Sequence, residues 1–413
     1  LKYVFGSTLS SNFLVSFVYV MTALTLDQLT ILAAQVGLSV VTVASADELT
    51  EDRPRLEAWQ AQGLAAEMKF MERPSELLTT PAKLLPSVKS VVVVAVSYER
   101  TPRPDLMLGY GRIARYAWGR DYHKVLRRRL EHLGEIVQSH VRHPIEYRVF
   151  ADSVPLLERA LARRSGLGFI GKNTMAIVPK EGSFFFLGEL LWNLEVETPR
   201  NIAPSPASCG SCSNCLSRCP TGAFVEERVL DAGRCISYLT IEKRSALSYQ
   251  EREWLGEWLF GCDICQEVCP FNIVPLKKRR GAQVPELGRD AGVGPLVSLE
   301  RVLRIRSDEE YRDVFQGTAV MRAKRSGLAR NAAVVAANTH AETLYPLLRE
   351  VAQGDPSALV RQHALWATAV MATRIGEGSV AQAKTLLERA AQDNDRAVRD
   401  EVVTLRTQLR NFA

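Results

Sequence analysis

The sequence predicts a chain in three parts: an α/β domain, a cysteine-rich segment and an all-helical tail. Three observations predict it. Residues 25–200 alternate helical and strand patterns around a nearly continuous apolar run at 88–96, the mark of a strand buried on both faces. All eight cysteines fall between Cys209 and Cys269. From about residue 295 the pattern is helical only, and two of its segments resemble each other.

The elements follow in order. Residues 13–24 are apolar but interrupted by Ser16 and Thr22, and fall short of the ~20 residues that span a bilayer. Met21 opens a better-patterned sequence, so residues 1–20 are expected to be an extension outside the native fold. Thr25 and Gln28 have the spacing of a capping box, leading a helix at 26–36. A short strand is expected at 39–44, and a polar helix with Pro54 in its first turn comes next. Further expectations are an amphipathic helix at 121–141, a strand at 145–151, a helix at 155–164 and a strand at 184–196 kinked at Gly188. A Pro/Ser-punctuated linker at 203–208 precedes the cysteines. In the tail, Val360-Arg361 and Val398-Arg399 are 38 residues apart, and a weaker copy surrounds Leu328. That spacing suits helical hairpins of the HEAT type. The boundaries are therefore 1–20 extension, 21–202 α/β domain, 203–285 two-cluster domain and 286–413 helical repeats.

A chain of 413 residues, 46% hydrophobic, builds its core without disulfides, and a net charge of +6 is too mild to identify a nucleic-acid partner by itself. The cysteines are more specific. Cys209, Cys212, Cys215 and Cys219 read C-x2-C-x2-C-x3-C-P; Cys262, Cys265 and Cys269 repeat the C-x2-C-x3-C-P ending, with Cys235 as a distant fourth member. Three thiolates at this spacing wrap one iron–sulfur cube, and the cysteine before proline is carried to the other cube. Cys209, Cys212, Cys215 and Cys269 are thus expected to hold one [4Fe–4S] cluster, and Cys219, Cys235, Cys262 and Cys265 the second. Zinc would need two C-x2-C pairs per ion without the crossover, and a disulfide framework suits small secreted chains. Oxygen-labile clusters imply a cytoplasmic protein. With every thiolate used, the clusters are a wire, and the reaction belongs to the preceding domain.

That domain has no G-x-G-x-x-G or P-loop. It carries R-Y-A-x-G-R-D-Y-H-K at 115–124, D-S-x-P-x-L-E-R at 152–159 and G-L-G-F-I-G-K-N at 166–173. Together with the cysteine runs and the tail, these motifs make residues 25–410 resemble the epoxyqueuosine reductase family. One departure is Phe169, where the family motif has tryptophan; either ring could pack on a corrin.

The resemblance implies a nitroreductase-like cobalamin domain, two [4Fe–4S] clusters and reduction of the epoxide at a queuosine-type tRNA wobble base. It places the general acid at Asp152, and cobalamin contacts at Arg115, Asp152, Lys172, Asn173, Thr174 and Ser237. Read from the residues alone, Asp152 suits a helix N-cap as well. The near miss D-x-H-x-x-L at Asp121, His123 and Leu126 reads as mid-helix, and the resemblance implies base-off cobalamin with no histidine ligand. Electrons would pass from an unidentified donor through the clusters to the corrin. Lys277, Lys278, Arg279 and Arg280, with the basic stretch 100–130, are expected to meet tRNA phosphates. No membrane association and a monomeric state are expected. Two other readings are a reductive dehalogenase-like cobalamin enzyme acting on a small molecule, and a ferredoxin-type electron carrier with a structural tail.

Overall fold

The computed structural model describes residues 24–98, 100–198, 205–278 and 281–410. The expected extension 1–20 and the basic residues Arg279 and Arg280 lie outside them. Helix α1 (Leu26–Gln35) begins at Thr25, whose hydroxyl accepts from the Gln28 N–H while the Gln28 side chain accepts from the Thr25 N–H, so the capping box is present.

The first part is built on a four-stranded sheet. Its strands are β1 (Val40–Ser45), β2 (Ser90–Ser97), β4 (Tyr147–Phe150) and β5 (Phe185–Trp192), in the order β1-β2-β5-β4. Every pairing is antiparallel. β2 is buried on both faces nonetheless, because helices cover both. Val92, Val94 and Val96 pack with Leu29 and Leu32 of α1 and with Leu126, Leu130 and Leu133 of α2 (Tyr122–His140); Val91 and Val93 pack with Ala160 and Leu161 of α3 (Glu158–Arg164).

Two expectations change here. Gly188 pairs with Val94 in unbroken register, so β5 has no kink. The missing side chain serves packing instead: a Cβ there would lie 3.0 Å from Leu130 and 3.3 Å from Leu126. Helix α3 starts at Glu158 rather than 155, because Leu157 takes the cap position without a side-chain cap bond and residues 151–157 form a loop.

A second sheet ties the three parts together. Strand β3 (Tyr110–Ile113) lies between β6 (Trp258–Phe260), parallel to it, and β7 (Leu296–Ser298), antiparallel. The tail follows as α4 (Lys324–Asn338), α5 (Tyr345–Gly354), α6 (Ala358–Ile375), α7 (Glu377–Ala390) and α8 (Arg396–Arg410). Its repetition is visible in hydrogen bonds. The Asp355 carboxylate accepts from the Ser357 N–H and its carbonyl from Arg361; Asp393 does the same with the Asp395 N–H and Arg399. Arg325 reaches the Asp355 carboxylate, and Arg361 reaches that of Asp393. The weak third copy contributes Arg330 and Asn331, which donate to the carbonyls of Leu239, Thr240 and Leu259 and dock the tail on the cysteine-rich segment. Among the described residues no helix is long and apolar enough to cross a membrane.

Candidate active site and thiol nests

Asp152 stands on the loop after β4, with φ of +50° and its side chain 65% exposed. It is not a helix cap. The Tyr122 hydroxyl donates to its carboxylate, and its own N–H donates to Glu158 Oε1 at 2.6 Å. His123 Nε2 lies 3.8 Å from Asp152 Oδ2, while His123 Nδ1 is 2.8 Å from Asp121 Oδ1. Asp121 is the N-cap of α2, so His123 sits in the first helical turn rather than mid-helix, with both ring nitrogens directed at carboxylates.

Beneath the acid lies an aromatic shelf. Tyr122 stacks on Phe186 with centroids 4.2 Å apart and planes 7° apart, and meets Tyr116 edge-on at 6.1 Å. Burial, and then the Asp152 charge, push both phenols far above their ordinary range, so Tyr122 remains a donor at any physiological pH.

The thiols fall into two sets by the charges that act on each. Burial raises Cys215 and Cys269; Cys209 and Cys212 raise both further, and Cys269 adds to the effect on Cys215. Burial likewise raises Cys235, Cys262 and Cys265, with Cys219 acting on Cys235 and Cys262, and Cys235 on Cys262 and Cys265. Cys265 also feels Cys215, which links the two sets.

Two of the expected cofactor residues, Lys172 and Asn173, contact the cysteine segment directly. The Lys172 N–H points at Cys209 Sγ, 3.4 Å away, and its ammonium pairs with Glu227. The Asn173 amide donates to the Cys265 carbonyl. Thr174 has φ of +65°, and its carbonyl accepts from Arg159. Ser237 follows Cys235 by two residues, in the first turn of the helix Ile236–Ile241. Arg115 is committed elsewhere: it is buried, held by Glu267 and the Thr101 carbonyl, and stacked on Trp118 and Phe184. Its N–H donates to Asp263 at 2.8 Å. Arg103 pairs with both Asp263 and Glu267, so two arginines clamp the residue after Cys262 and the second residue after Cys265. Phe169 packs edge-on against Phe271 at 5.2 Å, beside Cys269, which turns it toward the cluster segment.

The basic stretch 100–130 is less positive in space than in sequence. Arg100, Arg103, Arg112, Arg115, Arg127 and Arg129 each pair with a glutamate. Lys277 ends the helix Pro270–Lys277 and, like Lys278, is exposed. Residue-by-residue reading missed Tyr122, Glu158, Glu189, Arg103 and Asp263. A single acid within the apolar strand F-F-L-G-E-L-L-W was the available signal for Glu189.

Comparison with known proteins bears on this site. Residues 79–153 match the family model described as "Epoxyqueuosine reductase QueG, DUF1730", and residues 208–272 match a 4Fe-4S double cluster binding domain. The chain is 38% identical over 346 residues to the epoxyqueuosine reductase of Pseudomonas aeruginosa, covering 81% of this chain and 89% of that one. It is 36% identical to the Escherichia coli enzyme over 342 residues, 81% and 86% of the two chains. A crystal structure of epoxyqueuosine reductase with a tRNA-Tyr epoxyqueuosine-modified stem loop superposes with a TM-score of 0.83 at 31% identity, covering 93% of this chain and 98% of that one. A Bacillus subtilis structure, described with its catalytic aspartate loop swung out of the active site, has a TM-score of 0.80 at 30% identity over the same shares.

Proposed function

The chain belongs to the epoxyqueuosine reductase family, and on that premise we propose how its own residues carry the reaction. It is an oxidoreductase that reduces epoxyqueuosine to queuosine in tRNA, and it carries a double [4Fe–4S] domain. Removing an epoxide oxygen as water consumes two electrons and two protons. Asp152 gives a proton to the departing oxygen, and the observation that carries this role is its setting. It is an exposed carboxyl on a loop, held by a permanently protonated tyrosine over an aromatic shelf. His123, held by Asp121, directs its Nε2 towards the same Asp152 oxygen that Tyr122 bonds, 3.8 Å away.

The donor set suits the groups that the family implies. Cys209, Cys212, Cys215 and Cys269 hold one cluster, and Cys219, Cys235, Cys262 and Cys265 the other; bound there, the clusters relay single electrons. Cobalamin, when bound, supplies a strongly reducing cobalt centre. Lys172, Asn173, Thr174, Ser237 and Asp152 would be the residues that contact it. Arg115 acts at one remove, by fixing Asp263 and Glu267, chain neighbours of Cys262 and Cys265. His123, whose nitrogens face carboxylates, is consistent with cobalamin that would be held without a histidine ligand. Lys277 and Lys278, with Arg279 and Arg280, meet tRNA phosphates, and the tail stacks as HEAT-type hairpins. A soluble cytoplasmic monomer completes the reading.

The test is turnover with anaerobically purified chain, reductant and epoxyqueuosine-tRNA, read as queuosine in nuclease digests. About eight irons per chain and cobalt retained after adding cobalamin are expected. Equal turnover in cobalamin-free protein would remove the corrin from the scheme. Turnover of a halogenated small molecule, with none on tRNA, would favour the dehalogenase-like reading.

A further inference from the structure

Glu189 occupies an improbable place for an acid. It lies on the central strand β5, hydrogen-bonded in register between Val93 of β2 and Phe150 of β4, and is wholly buried. Strand alternation puts it on the same face as Leu187 and Leu191, the face that α3 covers. An ionised carboxylate there without a partner would cost several kcal/mol. Neither Glu189 oxygen receives a hydrogen bond from a backbone N–H or an ordinary side-chain donor among the described residues. Helix α3 packs on this face of β5 and carries a second carboxyl, that of Glu158, in its first turn, near enough for the two acids to act on each other.

Two such neighbouring carboxyls with no cation between them cannot both ionise, and a single proton satisfies both by turning one into a donor. Glu158 has a second engagement: its Oε1 accepts the Asp152 N–H at 2.6 Å. That bond grips the main chain at a residue in the left-handed region, a conformation uncommon outside glycine, although aspartate tolerates it better than most.

We propose that Glu158 and Glu189 share one proton, and that this protonated pair is the positioning device for the Asp152 loop. The inference rests on the reading of Asp152 as proton donor. Glu158 and Glu189 are positioning residues and touch no reacting atom. Three other groups face the pair. Asp152 bears on it from the loop, Tyr122 from α2, and Arg159 from α3 itself with its guanidinium on the Thr174 carbonyl. Burial raises Glu158, and the Asp152 charge raises it further; burial and then Glu158 raise Glu189. The proton is therefore retained at neutral pH. Its loss would set two negative charges, that of Glu189 wholly buried, beside Asp152 and release the loop.

Two measurements on the reconstituted full chain test this. The first is infrared spectroscopy of the resting enzyme at neutral pH. A carbonyl-stretch band of a protonated buried carboxylic acid, shifted in D2O, is expected in the wild type and absent from Glu158→Gln and Glu189→Gln. No such band in the wild type, or its persistence in both variants, overturns the shared proton. The second is turnover. Glu158→Ala should lower kcat by about 10²-fold, the scale of a misplaced catalytic group, with KM for tRNA and iron content unchanged. Glu158→Gln, whose amide accepts from Asp152 and donates to Glu189, should restore kcat to within a few-fold of wild type. If the alanine variant loses its iron and has misfolded, Glu189→Gln and Glu189→Leu give the same rescue-versus-loss comparison. Wild-type kcat in Glu158→Ala or Glu189→Leu, or equal losses in the amide and apolar variants, overturns the positioning role. Asp152→Asn separates the two ideas: near-native turnover there removes the premise, whereas lost turnover alongside indifferent glutamate variants rejects this inference alone.

Discussion

A carboxyl that protonates a leaving oxygen has to be aimed and kept within reach, and Asp152 is held at its carboxylate by Tyr122 and at its main chain by Glu158. Asp152→Asn keeps its shape and its main-chain bond but has no carboxyl proton to give. It is expected to bind both clusters and turn over roughly 10²–10⁴-fold more slowly; single-turnover kinetics on epoxyqueuosine-tRNA would measure it, and a rate near wild type would return the residue to a structural role. The cysteines make a second residue-scale prediction. If Cys219 and Cys262 serve one cluster, Cys219→Ala and the Cys219→Ala/Cys262→Ala double variant should each retain about four irons, while Cys209→Ala/Cys219→Ala should retain almost none. Near-total iron loss in the Cys219/Cys262 pair would refute the crossed wiring. At this scale the cysteines were legible because ligand spacing is local geometry written into the chain. Asp152 was legible only through its motif. Tyr122 and His123 were not, since what recruits them is an N-cap at Asp121 that swings the first turn of α2 over the β4 loop. Glu158 and Glu189 are brought together from 31 positions apart by sheet pairing, which no local spacing records.

Elements were read more successfully than the contacts among them. The capping box at Thr25, the apolar run in β2 and the amphipathic helix α2 all formed where pattern placed them, because propensity and burial agree there. Gly188 was read as a kink because a strand glycine often marks one, but here it admits Leu130 and Leu126 from the covering helix. The same distinction governs the basic segments. Most arginines of the 100–130 stretch are spent on glutamates, so their sequence density overstates the field that a phosphate would meet. The run Lys277, Lys278, Arg279 and Arg280 follows the cluster segment at the end of a helix, with Lys277 and Lys278 exposed. Replacing all four with glutamine should weaken tRNA binding and flatten its dependence on salt, by a slope of up to about 0.7–0.9 per lost phosphate contact. Reduction of a free epoxyqueuosine nucleoside, if it is accepted, should change little. An unchanged affinity across a salt series would exclude this loop as a contact.

At the scale of the whole molecule, the helical tail is bonded to the cluster segment through a buried polar seam. Arg252 makes a two-pronged pair with Glu401 of α8, and Tyr249 donates to the same carboxylate. Arg330 spans the carbonyls of Leu239, Lys243 and Ser245. His363 of α6 completes it. Its Nε2 lies 3.0 Å from the Leu247 N–H and must accept, and its Nδ1 lies 2.7 Å from the Leu359 carbonyl and must donate, so the ring is a neutral imidazole with no site for a second proton. Burial, and then the charges of Arg252 and Arg330, push this histidine well below its ordinary value. The unfolded chain takes up a proton at this residue near the model-peptide value of ~6.5, while the folded chain does not. Stability at the seam is therefore full above that value and declines as pH falls through it, by up to about 1.4 kcal/mol per pH unit. His363→Gln can accept from Leu247 and donate towards Leu359 but does not titrate. Anaerobic urea melts followed by tail-sensitive tryptophan fluorescence from Trp366 should show the wild-type midpoint dropping between pH 7.5 and 5.5 more steeply than that of the variant. Parallel pH dependences in the two proteins would mean that the seam tolerates a charged imidazole, and that acid lability, if present, arises at other groups.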